Sequence, residues 1–183
     1  MESIRILENE HENILTMIGI IREMCKRALK GEDFDTDDLR SVFDFIKYYA
    51  DGHHHSKEEK VLFEYMTTNL GKAANSLVNF GMLVEHDLAR FYNGSLLDAV
   101  KRYDEEKNYD NLLDIITYAM AYSDLLKRHI EKENNAVYPF AERALSEELK
   151  KEIEIKSKDL EIENKDISDK YLLILKNLKE KYS

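Results

Sequence analysis

One proline and six glycines in 183 residues leave this chain few means of turning. Those two residues supply the backbone angles that tight turns need. A chain so poor in both must be built of few, long elements, which argues against an all-β sandwich. It also argues against glycine-rich phosphate loops, and neither GxGxxG nor GxxxxGK[ST] occurs. The expected class is all-α. Lys and Arg number 27 against 37 Asp and Glu, a net charge of −10. That balance opposes a nucleic-acid or anionic-membrane partner. Cys25 is the single cysteine, so neither an intrachain disulfide nor a cysteine-based zinc site is expected. Its place on an apolar stripe reads as structural burial. No apolar run reaches membrane-spanning length, and the acidic start MESIRILENEHEN is unlike a signal segment. The expected location is the cytoplasm.

Apolar residues recur at three- and four-residue spacing through residues 3–30, from Ile4 and Leu7 to Ile21 and Cys25. Gly31 stands where a helix C-cap glycine would. Thr36, Asp37 and Asp38 read as an N-cap and first-turn acids of a second helix, which ends near Gly71. Gly52 lies inside it and weakens that stretch by roughly 1 kcal/mol against Ala. A third helix is expected over about 72–92, broken at Asn93-Gly94-Ser95 and followed by a short helix to about 105. A fourth runs over about 109–144, with Pro139 kinking it or ending its first part near Tyr138. Four long helices with short connections predict an antiparallel up-down four-helix bundle over 1–145. Residues 146–183 form an additional C-terminal helical segment of one or two helices, with Ser168 as a candidate cap. Their stripe of Leu149, Ile153, Leu160, Ile167, Tyr171, Ile174 and Leu178 is approximately heptad. It fits a helix docked on the bundle or the seam of a homodimer.

The six histidines are unevenly placed. His11, the run His53-His54-His55, His86 and His129 put at least one imidazole well inside each main helix. Two segments also repeat. His54-x-x-Lys57-Glu58-x-x-x-Leu62-Phe63 aligns without gaps on His129-x-x-Lys132-Glu133-x-x-x-Val137-Tyr138. His and Glu at i and i+4 share one helical face. A single such pair is ordinarily a surface salt link. Two pairs on alternate helices, with His11 and His86 on the others and apolar neighbours throughout, would face an interior. Burying those groups without a partner is costly, and a bound cation removes the cost. Imidazole and carboxylate without thiolate suit iron, manganese or zinc. Four His and two Glu exceed the needs of one tetrahedral zinc and are about right for two metals with bridging carboxylates.

The residues quoted above, with Glu85-His86-x-x-x-Arg90 and a fourth helix ending in Tyr-Pro, resemble the hemerythrin-like (HHE cation-binding) domain over about residues 5–145. The resemblance implies a four-helix bundle with an oxo- or hydroxo-bridged pair of irons, favoured over manganese or zinc. It implies His11, His54, His86 and His129 as imidazole ligands, with Glu58 and Glu133 as bridging carboxylates. One imidazole of the usual five is then missing. His55 is a candidate, although an α-helix turns it about 100° from His54. Glu85 and core tyrosines are others. Arg90 is expected to neutralise a bridging carboxylate or hold a ligand in place, and His53 to lie on the surface. Here Arg90 follows His86 by one turn, and Glu133 follows His129 by four, which is the HHE pattern rather than that of the oxygen-storage proteins. The function implied is binding of, or reaction with, dioxygen or peroxide, as an oxygen or redox sensor or a peroxidase-like enzyme. The alternative is an iron-sensing, iron-handling or nitric-oxide-response module whose metal occupancy a partner reads.

Overall fold

The computed structural model describes residues 1–183 as six helices with no strand. We number them α1 (Glu2–Leu29), α2 (36–69), α3 (71–105), α4 (109–144), α5 (Glu147–Glu163) and α6 (Lys165–Tyr182). The expectation of four helices and a segment thus becomes six helices. The last two meet at Asn164 and run on in the same direction, α5 along the start of α1 and α6 toward its end.

Local chemistry sets the ends. α1 stops where Gly31 takes φ 91°, a left-handed angle that glycine adopts without steric cost. Its N–H reaches the Ala28 carbonyl and that of Glu32 reaches Arg27, the paired bonds of a Schellman ending. α2 is capped by Asp35, one residue earlier than the sequence indicated, whose carboxylate accepts from the Asp37 and Asp38 N–H groups. Asn108 caps α4 and Ser146 caps α5 in the same way. Ser168 caps nothing, because α6 already begins at Lys165.

Two expected interruptions do not occur. α3 runs unbroken through Asn93-Gly94-Ser95 to Glu105. Asn93 is buried and donates to the Phe43 carbonyl, and Ala89, Leu96, Val100 and Tyr103 keep the apolar stripe in register across it. Burial of that stripe outweighs the ~1 kcal/mol helix cost of one glycine. α4 likewise continues past Pro139 to Ala144. A wider π-type turn at Glu133–Val137 comes directly before the proline, where a helix can absorb its missing N–H.

The core is in two parts. A larger cluster of 28 residues draws on α1, α2, α3, α4 and α6, from Ile14 and Met17 to Tyr171, Leu175 and Leu178. A smaller one of 15 holds Ile4, Leu7, Leu62, Phe63, Met82, Val137, Tyr138 and Ile153. Between them, in sequence and in space, lies a polar layer that begins at Glu10 and His11. α5 and α6 together cover α1 and α2 through buried Ile153, Tyr171 and Leu178, while Ile167 is exposed. Glu154 accepts from the Ser3 N–H and hydroxyl, and Lys181 pairs with Asp35 and Asp38.

Candidate metal centre

Two of the helices, α2 and α4, change winding where the polar layer crosses them, and α3 does so just before it. α2 is π-wound over Phe45–His55 and again over Glu58–Leu62, α3 over Val78–Met82 and α4 over Glu133–Val137. A π-turn bonds to the carbonyl five residues back, so it holds more residues per turn and neighbouring side chains diverge less. Such turns are frequent at functional sites. Here the winding brings three consecutive histidines inside, with His53, His54 and His55 only 1%, 1% and 2% exposed. The expectation that His53 lies on the surface is therefore overturned: its Nε2 sits 2.8 Å from Glu10 Oε1. Within this stretch a Cβ added at Gly52 would stand 3.3 Å from the Lys47 carbonyl five residues back in the same helix.

All six sequence-nominated ligands converge, and His55 joins them. His11, His54, Glu58 and Glu133 form one group, and His55, Glu58, His86 and His129 another; within each, the ligand atoms lie within 4.8 Å of one another. The two share Glu58. Glu133 reaches both sides, with Oε2 3.2 Å from His11 Nε2 and Oε1 3.1 Å from His129 Nε2. Glu58 Oε2 lies 3.6 Å from His54 Nε2 and 3.5 Å from His86 Nε2.

Every one of the five imidazoles is held from behind. Its Nδ1 meets an outer acceptor, which leaves Nε2 facing the centre. Asn134 Oδ1 holds His11 at 2.8 Å, Glu10 Oε2 holds His54 at 2.9 Å and Asp51 Oδ1 holds His55 at 3.3 Å. Glu59 Oε1 holds His86 at 2.7 Å and Glu85 Oε2 holds His129 at 2.8 Å. An acceptor on Nδ1–H fixes the tautomer whose Nε2 lone pair can bind a metal, and makes that nitrogen more basic. Glu85 and Arg90 find their places in this outer ring. Glu85 joins His129 to Lys132, and Arg90 ties Glu59 to Asp51, and so steadies the groups behind His86 and His55.

The arrangement is nearly twofold. The 75-residue separation that takes His54 to His129 and Glu58 to Glu133 also takes Glu10-His11 to Glu85-His86, and Gly19 to Gly94. The contacts follow. Glu10 on α1 holds His54 and is gripped by Lys57; Glu85 on α3 holds His129 and is gripped by Lys132. Glu59 follows Glu58 and holds His86, whereas Asn134 follows Glu133 and holds His11. His55 breaks the pattern, since its counterpart is Ile130. Glu10 and Asn134 had no role assigned from the sequence, and Lys57 stood there only as part of the repeat. The constant 75-residue spacing, carried back to the first helix, would have found Glu10.

The electrostatics bear the marks of a cation site. Glu58 Oε2, both Glu133 carboxylate oxygens and His55 Nε2 are buried with no hydrogen-bond partner. Buried polar atoms of that kind are rare and need a reason. Burial and the facing Glu133 charge push the Glu58 carboxyl well above its usual range. Burial would raise Glu133 too, but His129, His11 and His86 outweigh it and hold that carboxylate well below. Burial lowers His54 to about 4, so it is neutral with its proton on Nδ1 toward Glu10. Burial opposes charge on His129 as well, yet Glu133 and Glu85 on either side raise it to about 9. His86 Nε2 and His129 Nε2 stand 3.1 Å apart, a contact that needs a positive charge between or on them. A proton supplies it without metal; two cations among five nitrogens and two carboxylates would supply it better. The donor set fits them.

Tyr138 completes the floor. Its hydroxyl donates to Glu58 Oε1 at 2.6 Å and lies 3.4 Å from His11 Nε2. Burial and the two carboxylates push its ionisation well above the usual phenol range, so it is a proton-bearing donor rather than a phenolate ligand. From outside, a cavity of about 210 Å³ between α2 and α3 reaches His55, walled by Phe43, Ile46, Ala89 and Tyr122, with Lys47 and Arg90 also lining it. No helix is long and apolar enough to cross a membrane.

No curated protein and no solved structure matches this chain. The family model described as the hemerythrin HHE cation binding domain matches residues 2–141, which take in α1 to α4 and every residue of the two ligand groups. The chain belongs to the hemerythrin HHE cation-binding domain family, and the family's metal-binding role coincides with the buried His/Glu layer.

Proposed function

We propose that this chain is a non-haem di-iron protein that binds or reacts with dioxygen or peroxide. The observation that carries the reading is the convergence of five imidazole Nε2 atoms on two shared carboxylates, each imidazole fixed from behind. On this reading α1 to α4 are the four-helix core, and α5 and α6 are an addition to it. His11 and His54 hold one iron, His55, His86 and His129 the other, and Glu58 and Glu133 lie between them. Two ferrous ions, when bound, supply the two electrons that dioxygen or peroxide requires.

The chain's own residues supply the rest. The two apolar clusters above and below exclude water from the layer, which strengthens every charge interaction inside it. The His11 and His54 side has two imidazoles against three on the other, so it keeps more room for a small ligand. Tyr138 Oη holds a proton beside that side. Its bond to Glu58 keeps the hydroxyl aimed inward. The α2–α3 cavity gives small molecules an approach as far as His55.

Metal analysis of protein purified without added metal tests this directly. About two irons per chain are expected, with near-ultraviolet absorption that falls on reduction and returns with oxygen or peroxide. One zinc per chain would refute it. A second reading, an iron-occupancy sensor, is supported by a specific contact: Glu161 of α5 pairs with Lys57, which grips Glu10, the carboxylate behind His54.

A further inference from the structure

The two halves of the centre differ in one respect that the 75-residue repeat does not predict. Lys132 grips Glu85 at the surface, 47% exposed. Its counterpart Lys57 grips Glu10 in the interior, 3% exposed. An ammonium has three donors, and burying it is costly unless they are used. Lys57 uses two of them on Glu10 and Glu161, while His53 Nε2, 3.2 Å away, donates to the same Glu10 oxygen. Glu161 belongs to α5, outside the family match. Glu10, His53 and Glu161 are placed as a cation's ligands would be, and the Lys57 ammonium already serves as that cation.

A connected path follows. Glu161 shares the Lys57 charge with Glu10, and Glu10 Oε2 accepts from His54 Nδ1. Remove the Glu161 charge, and the whole attraction of Lys57 falls on Glu10. Glu10 then accepts less strongly from His54, and His54 Nε2 becomes a poorer donor toward a metal. Undocking α5 has the same effect and also lets water reach Lys57. Nothing comparable stands behind His129.

We propose that Glu161 is a positioning residue for the cation bound by His11 and His54, so that docking of α5 and occupancy of that one position strengthen each other. This rests on the metal reading above. The coupling is reciprocal: metal at His54 favours docked α5 by the factor with which docking favours metal.

The test is a titration of metal-free full-length chain with Co(II) under anaerobic conditions, followed by visible absorption and calorimetry. Wild type is expected to take up two Co(II). Glu161→Gln is expected to weaken one step on the order of ten-fold, the lower end for a group behind a ligand, and to leave the other within about two-fold. Glu161→Asp should recover most of the loss. Glu154→Gln is the control, because Glu154 ties α5 to Ser3 without touching Lys57; it should leave both steps within about two-fold. Proton NMR of the Co(II) form adds a readout that loosened packing would not give. Of the five paramagnetically shifted imidazole Nδ1–H signals, that of His54 should move in Glu161→Gln. Equal weakening in Glu161→Gln and Glu154→Gln, or no change in either step, would overturn the proposal. Wild type that binds no Co(II) would overturn the metal reading itself, and the proposal with it.

Discussion

Glu58→Gln gives the sharpest test of why these carboxylates are buried. In metal-free protein Glu58 faces Glu133 across hydrogen-bond distance, with Oε2 unpartnered and its carboxyl pushed well above the usual range. An amide at position 58 keeps the shape, and its oxygen still accepts from Tyr138. Its NH2 group offers Glu133 a donor at any pH. Wild type can match that bond only by protonating Glu58. The cost of that protonation rises with pH, so the variant gains more at higher pH. A hydrogen bond to a charged acceptor is worth about 1.5–3 kcal/mol. For a chain of this size, once wild type no longer protonates Glu58, that raises Tm by about 3–12 °C. As pH falls the wild-type acid takes up its proton more readily, and the gain should shrink.

Metal reverses the order. The amide cannot bridge two cations as a carboxylate does, so loaded wild type should be the more stable protein. Thermal unfolding followed by circular dichroism, with chelator and then with Fe(II) under anaerobic conditions, checks both halves. If the gain of chelated Glu58→Gln over wild type does not grow with pH, Glu58 is a structural group and the reasoning fails.

Three further outcomes are expected. Metal-free protein should lose stability as pH rises between about 6.5 and 9: His129 is raised to about 9, so the stability its proton confers is complete below the unfolded value near 6.5 and gone above 9. A Tm that rises across that window, in chelator, would contradict this. Glu133→Ala should lose metal outright, whereas Glu59→Ala, which removes only the acceptor behind His86, should weaken it about 10–100-fold; equal metal content in the two would show that Glu133 is no ligand. Cys25 is 4% exposed and burial raises its thiol to about 11, so an aromatic disulfide reagent at pH 8 should label it only as the chain unfolds.

Periodicity located the long helices because an amphipathic stripe must meet a core, and Ile4 to Ala28 do so along α1. It misjudged Asn93-Gly94-Ser95, where propensity argued for a break and burial of Leu96 and Ala99 decided otherwise. The site was legible through one repeated segment, His54 to Phe63 against His129 to Tyr138. What remained hidden was winding. A uniform 100° per residue sends His53 and His55 away from His54. The π-turns bring all three inside, and no residue type announces such a turn. The outer ring was hidden for a different reason. Glu59 and Asp51 look like ordinary helix-surface acids, and only packing tells them apart from Glu8 or Glu12; Glu10 alone is marked, by its repeat at Glu85.

The split core and the repeat together explain how a chain can tolerate so much buried polarity. A helix bundle that placed seven ionisable side chains among aliphatic neighbours at scattered heights would disrupt packing everywhere. Here they are confined to one layer, with apolar packing uninterrupted on both sides. Each imidazole is also fastened to an outer partner on a neighbouring helix or turn, and Glu58 to Tyr138, so these groups are held by contacts that do not need the metal. The asymmetry then has a physical meaning. The half built on α3 and α4 meets solvent at Lys132 and Glu85, where water stabilises the charges. The half built on α1 and α2 is roofed by α5, which excludes that water and must replace it with Glu161. A helix that merely covered Lys57 with apolar residues would strand a buried ammonium at a cost of several kcal/mol. The carboxylate on α5 is therefore required by the roof itself, and that requirement is what ties α5 to His54.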